Sequence, residues 1–277
     1  MLKIFRCSFR PLFLLALMLA LAFSCIACSG DDGEADSERA TAEPYGGDEA
    51  LTFTEETPLD GVAPRSELTI VIDAGHGDKD PGVLATLNGQ DVRESDVNLA
   101  LALRLSSLLG DMGYDVLLIR EDDSSLLGAA DPDYYTDKEA EARREAAVAA
   151  EADLYISLHC NSAGDTAARG TRIFYNGRVV VSFEGRAIAH EYKDALNRVF
   201  AQDIATGEAC EVQNHYLNGM SEPYIVLKNT QMPALLFEIG FVTNTDDLSL
   251  LTDGDYLWEY AYALALATDE ARVKRLI

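Results

Sequence analysis

His76, His159 and Glu238 each stand at or just beyond the end of a short apolar run: Ile70-Val71-Ile72, Leu154-Tyr155-Ile156-Ser157-Leu158 and Ala234-Leu235-Leu236-Phe237. Imidazole and carboxylate both ligate metals and carry protons. A lone histidine behind a strand is usually an ordinary residue with its hydrogen bonds satisfied. Three such residues behind three different strands point to a site, because in open α/β sheets the functional cleft lies beyond the carboxyl ends of the strands. His76 sits in Asp73-Ala74-Gly75-His76-Gly77, where flanking glycines allow close backbone approach. Glu94 stands before a helical stretch, where a carboxylate also suits the positive end of the helix dipole. Glu238, behind four apolar residues, would be costly to bury without a role or partner. His190 falls in a helical stretch and His215 follows no such run, so both read as surface residues.

The elements that must position these residues alternate. Strands are expected at Leu68–Ile72, Asp115–Ile119, Asp153–Leu158, Thr171–Tyr175, Tyr224–Leu227 and Ala234–Phe237. Helices are expected after a Ser95 or Asp96 cap, closing at Gly110 and Gly113, then over Thr136–Glu151 and Phe183–Ala201, and once or twice within Asp246–Lys274. The alternation predicts a single α/β domain: a twisted, mostly parallel sheet with helices on both faces.

Ahead of that domain the composition changes. Lys3, Arg6 and Arg10 precede the apolar run LFLLALMLALAF and a small-residue segment, SCIACSG, so residues 1–28 read as a secretory signal. A retained membrane anchor is the alternative. Cys25-Ile26-Ala27-Cys28 resembles a bacterial lipobox, with Cys28 as the lipidated residue and Cys25 where leucine is usual. Residues 29–65 read as an acidic flexible linker, since positions 29–60 hold eleven acids against Arg39 alone. The folded domain is then expected over 66–277. The whole chain of 277 residues carries a formal charge of −25, of which −18 falls on residues 61–277. That balance argues against nucleic acid as a partner. Of five cysteines, only Cys160 and Cys210 fall in the domain, and a disulfide between them is open in an exported protein.

Four ordered blocks carry a family resemblance. They are Ile70-Val71-Ile72-Asp73-Ala74-Gly75-His76-Gly77 through Gly82, Arg93-Glu94-Ser95-Asp96-Val97-Asn98-Leu99-Ala100, Ala152–Ser162 around His159, and Pro233–Asn244 around Glu238. Together, over about Glu67 to Ala271, they resemble the zinc-dependent N-acetylmuramoyl-L-alanine amidases. The resemblance implies one zinc ion per chain on His76, Glu94 and His159, with Glu238 as the catalytic carboxylate. The residue types agree: two imidazoles and a carboxylate leave a fourth zinc position open, as in catalytic sites. A nearby carboxylate can then move the proton of an attacking water. Arg143 also fits the family pattern, whereas Val148 stands where the family often has asparagine.

The implied activity is hydrolysis of the amide between N-acetylmuramic acid and L-alanine in peptidoglycan, outside the cytoplasmic membrane. The chain would be tethered there by lipid on Cys28. A protein activator is left open. Two rival readings remain at this level: another zinc peptidase or deacetylase acting on wall material, and a wall-binding lipoprotein without activity. The short span Ala163–Gly170 argues against a large insertion between the third block and the next strand.

Overall fold

A computed structural model describes residues 60–128, 137–175, 182–200, 210–214 and 224–277. The signal and lipobox segment, most of the linker and His215 lie outside the described residues.

The strands are β1 (Thr69–Ala74), β2 (Leu84–Leu87), β3 (Gln90–Arg93), β4 (Asp115–Leu118), β5 (Leu154–Asn161), β6 (Thr171–Tyr175), β7 (Cys210–Asn214) and β8 (Ala234–Phe241). The helices are α1 (Glu94–Met112), α2 (Asp137–Ala149), α3 (Ser182–Phe200), α4 (Thr245–Leu251) and α5 (Gly254–Val273). Six strands form one sheet in the order β4-β1-β5-β8-β6-β7. Neighbours run parallel except β6 and β8, which pair antiparallel. The alternating side chains of the strands feed two cores. Ile70, Ile72, Leu154, Ile156 and Leu158 pack with α1, α3 and α5 on one face. Val71, Tyr155 and Leu236 pack with Ala147 of α2 on the other. Helices therefore cover both faces, and the single α/β domain with a mostly parallel sheet is what forms. Among the described residues, no helix is long and apolar enough to cross a membrane.

Three local expectations need correction. Tyr224–Leu227 is no strand: Ile225–Leu227 makes a turn of 3-10 helix that buries Val226 and Leu227 in the second core. A short apolar run fits either conformation, and burial alone does not choose between them. Neither Ser95 nor Asp96 caps α1, which begins at Glu94 with Arg93 at the N-cap and no side-chain cap. The free helix amides find backbone acceptors instead, Glu94 N–H on the Val83 carbonyl and Ser95 N–H on that of Pro81. The preceding loop thus does the work of a cap, and the Glu94 side chain is left to turn inward. Finally, β5 and β8 run past His159 and Glu238 to Asn161 and Phe241, so both residues stand inside their strands. At the other end of α1, Gly113 closes the helix in the left-handed region at φ 99°, while Gly110 lies within it.

The β2–β3 hairpin and the edge strand β7 were not expected. The hairpin turns on Asn88 (φ 53°) and Gly89 (φ 81°), the positive pair that a tight hairpin turn favours. Asn-Gly between two short runs was the available signal.

Candidate active site

The site forms where β1, α1 and β5 meet. His76 follows β1 on a loop that adopts positive φ at His76 itself (64°) and at Asp78 (56°). Non-glycine residues enter that region at a cost, so the loop must be held by its surroundings. Two buried arginines hold it. Arg143 on α2 donates to Asp73 Oδ1, the Ala74 carbonyl and the His76 carbonyl, each at 2.8 Å. Arg120, just beyond β4, donates to the Ala74 and Gly75 carbonyls at 2.8 and 3.0 Å. Asp73 is fully buried, and its other oxygen accepts from the hydroxyls of Tyr155 and Ser157 at 2.9 Å each. Burial opposes its charge, but Arg143, His159 and these hydroxyls hold the Asp73 carboxyl below its ordinary pKa.

His76, Glu94 and His159 converge. His76 Nε2 lies 3.1 Å from Glu94 Oε1. His159 Nδ1 lies 3.2 Å from both His76 Nε2 and Glu94 Oε1. A tetrahedron with bonds of 2.0–2.1 Å has an edge of about 3.3 Å, so this triangle fits one face of a zinc coordination sphere. Three lone-pair atoms at such separations repel unless a cation or a shared proton lies among them. The donor set and its spacing therefore suit a metal ion.

Two of the three candidate ligands, His76 and Glu94, are oriented from behind. His76 Nδ1 pairs with Asp80 Oδ2 at 2.8 Å, which places the proton on Nδ1 and turns the Nε2 lone pair inward. Glu94 Oε2 accepts from Val83 N–H at 2.8 Å, and Oε1 from Cys160 N–H at 3.0 Å. Burial opposes the Glu94 charge, yet the two histidines outweigh it and hold the carboxyl far below its usual range. Burial also opposes a charge on His76. The Asp80 and Glu94 carboxylates overcome it and raise His76 to about 9, so a metal would compete with a second proton at Nε2. Close approach depends on glycine. A Cβ on Gly75 would lie 2.2 Å from His159 Cε1, and one on Gly82 would lie 2.6 Å from Glu94 Oε2.

Glu238 stands beside this triangle on β8, directly across from His159 on β5. Its Oε2 is buried with no hydrogen-bond partner among the described residues. Burial is the main cause that raises its pKa, with His159 pulling the other way. A cavity of about 160 Å³ opens next to the histidines, lined also by Asp80, Ser125, Glu139 and Arg143.

All four residues singled out in the sequence meet at this one place. Asp80, Asp73 and Arg120, which position them, were not given roles. Asp80 is four residues from His76, and Arg120 directly follows the apolar stretch that forms β4, but neither spacing names a partner. Cys160 points away from His159 into the first core, where it is a buried free thiol, so the Cys160–Cys210 pairing is not made. His190 is exposed on α3. Val148 packs at the edge of the second core. Residues 162–170 join β5 to β6 without a helix.

Residues 70–270 match the family described as N-acetylmuramoyl-L-alanine amidase. The chain belongs to that family. It is 29% identical over 195 residues to the germination-specific N-acetylmuramoyl-L-alanine amidase of Bacillus subtilis, covering 70% of this chain and 75% of that one. The structure of the CwlD amidase of Clostridioides difficile, solved with the GerS lipoprotein, is 28% identical with a TM-score of 0.61 and covers 74% of this chain and 98% of that one. The catalytic domain of CwlV, an amidase from Bacillus (Paenibacillus) polymyxa, is 26% identical with a TM-score of 0.57, covering 73% and 97%. Membership makes this chain a peptidoglycan amidase of the same α/β class.

Proposed function

We propose that the chain is a zinc-dependent hydrolase of the amide between N-acetylmuramic acid and L-alanine. The observation that carries this reading is the triangle of His76 Nε2, Glu94 Oε1 and His159 Nδ1 beside the unpartnered Oε2 of Glu238.

His76, Glu94 and His159 would hold the metal. Bound there, zinc would supply Lewis acidity toward the scissile carbonyl and the water that attacks it. The rest falls to the chain. Asp80 keeps the His76 tautomer, and the amides of Val83 and Cys160 hold both Glu94 oxygens. Glu238 receives the proton of the attacking water at Oε2 and returns it to the departing amine of L-alanine. Its raised pKa suits the first half of that task, because a carboxylate that binds its proton more firmly is a stronger base.

The basic and apolar N-terminal segment supports export, which would place this chemistry outside the cytoplasmic membrane. Lipid on Cys28 would tether it there, with the acidic residues 29–65 as the spacer and residues 66–277 as the catalytic domain. The CwlD relative was solved with a lipoprotein partner. In this chain the lipobox-like segment Cys25–Cys28 would put a lipid on the amidase itself.

Mass spectrometry of purified peptidoglycan digested by the purified protein tests the reading. Intact stem peptides bearing a new L-alanine amine are expected, lost with a chelator and restored by zinc. Cleavage inside the stem peptide, removal of acetyl groups, or activity indifferent to chelation would overturn it.

A further inference from the structure

Four backbone carbonyls converge on the guanidinium of Arg120. Nε donates to Ala74 O at 2.8 Å and Nη1 to Asp122 O at 2.9 Å. Nη2 donates twice, to Gly75 O at 3.0 Å and to Ser95 O at 2.8 Å. The side chain is buried, with 4% of its surface exposed. Gly75 immediately precedes His76, and Ser95 immediately follows Glu94. One nitrogen thus joins the backbone next to two ligands that come from segments eighteen residues apart in sequence.

A second tie runs from the same exit of β4. Asp123 Oδ1 accepts from Asp78 N–H at 2.8 Å, and Oδ2 accepts from Arg93 Nη1 at 2.9 Å. Arg93 in turn donates to the Asp78 carbonyl at 3.0 Å. The His76 loop and the start of α1 are therefore joined twice through residues 120–123. The topology explains why. β4 is the parallel neighbour of β1, so its C-terminal end emerges beside the loop that carries His76.

Arg143 differs in kind. It holds Asp73, Ala74 and His76, all on one side of the gap, and does not reach the Glu94 segment through any of these bonds. Of these two buried arginines, Arg120 is the one whose guanidinium bonds to both segments. A guanidinium suits this use because its donors are fixed in one plane and its charge persists under burial.

We propose that Arg120 is a positioning residue for the metal centre, setting the separation of His76 from Glu94 and hence the affinity for zinc. The inference rests on the proposed role of His76, Glu94 and His159 as zinc ligands. Loss of an outer partner of a metal ligand typically weakens metal binding by about 10- to 100-fold. Arg120→Gln removes the charge and most of the bridging donors. Arg120→Lys keeps the charge and loses the planar fork.

The test is zinc affinity of the full chain, measured by competition with a chromophoric chelator, together with the visible spectrum of the cobalt-substituted protein. The expected result is zinc binding about 10- to 100-fold weaker in Arg120→Gln, intermediate in Arg120→Lys, with an altered cobalt spectrum in both. Arg65→Gln is the control: it breaks the Arg65–Asp269 pair away from the site and is expected to lower the melting temperature without moving zinc affinity. A folded Arg120→Gln protein that binds zinc within about twofold of wild type would overturn the proposal. If Arg120→Gln fails to fold, Arg120→Lys decides by the same criterion. A wild-type chain that binds no zinc would overturn the metal reading itself, and this inference with it.

Discussion

Glu238 and His159 are register partners on the adjacent parallel strands β8 and β5. Partners in register share a face of the sheet, so the Glu238 carboxylate and the His159 imidazole project to the same side. Glu238 is held apart from the triangle of ligand atoms, however, and its Oε2 bonds to none of them. Removing its charge should then leave the metal in place and stop proton transfer. Glu238→Gln is expected to retain one zinc per chain and to lose about 10²- to 10⁴-fold in turnover. Zinc content and amide hydrolysis, measured on the same preparation, decide this; full turnover would rule out the assigned role.

Asp80 acts one bond further out. Its carboxylate fixes the His76 ring through Nδ1 at 2.8 Å, and that bond faces the solvent-accessible cavity. Asp80→Asn keeps the size of the side chain and weakens the acceptor. Zinc affinity is expected to fall by about 10- to 100-fold with secondary structure unchanged. His76→Ala, by contrast, should lose zinc and activity together. Equal zinc affinity in Asp80→Asn and wild type would show that the bond does not orient the ring.

The legible part of this molecule was the set of apolar runs followed by polar residues. Ile70–Ile72, Leu154–Leu158 and Ala234–Phe237 read as strands because hydrophobic residues continue without helical spacing, and they delivered His76, His159 and Glu238 to one place. What the sequence concealed was tertiary. The cap of α1 is supplied by carbonyls of Pro81 and Val83, which no pattern in Glu94–Ala100 announces. Tyr224–Leu227 has strand composition, but the second core accepts Val226 and Leu227 together, as a 3-10 turn presents them. Arg120 and Asp73 act through long-range contacts, and a lone arginine or aspartate carries no sign of its future partner.

Gly75 is a steric requirement rather than a flexible link. A methyl group there would sit 2.2 Å from His159 Cε1 and 2.4 Å from its Nε2, inside any van der Waals contact. The backbone cannot recede, because the Gly75 carbonyl is held by Arg120 and its amide donates to the Leu158 carbonyl at 2.9 Å. The His159 ring must move instead. Gly75→Ala is expected to lose high-affinity zinc while keeping its circular dichroism spectrum. An alanine variant with wild-type zinc affinity would show that the ring has room to yield.

The Asp73–Arg143 pair ties β1 to α2 inside the protein, with 0% and 5% of the side chains exposed. Removing one partner of a buried ion pair strands the other charge and typically costs about 3–5 kcal/mol. Asp73→Asn should therefore destabilise by an amount toward the lower end of that range, because Arg143 loses one of its two carboxylate partners and the Tyr155 and Ser157 hydroxyls lose a charged acceptor. Urea unfolding monitored by circular dichroism measures it. A loss below about 1 kcal/mol would mean that Arg143 is satisfied by Glu139 and the loop carbonyls alone.

Asp269 on α5 should give the fold a pH dependence separate from the site. Its carboxylate accepts from Arg65 Nε and Tyr114 Oη at 2.8 Å and from Arg272 Nε at 2.9 Å, so it fastens the start of the domain to its last helix. Burial opposes the charge, but Arg65, Arg272 and Tyr114 outweigh it and hold the carboxyl well below its ordinary value. A carboxyl depressed in the folded state binds its proton more readily when unfolded. Its contribution is therefore complete above the unfolded pKa of about 4 and drains away as pH falls toward the folded value. Asp269→Asn removes that contribution at every pH. At pH 7 the variant is expected to be less stable by about 1–2 kcal/mol, since partial exposure screens the pair. Below about pH 4 the two stability curves should approach each other. Urea titrations of both proteins at pH 7, 5, 4 and 3 read the gap, and a gap that stays constant to pH 3 would show that Asp269 titrates alike folded and unfolded.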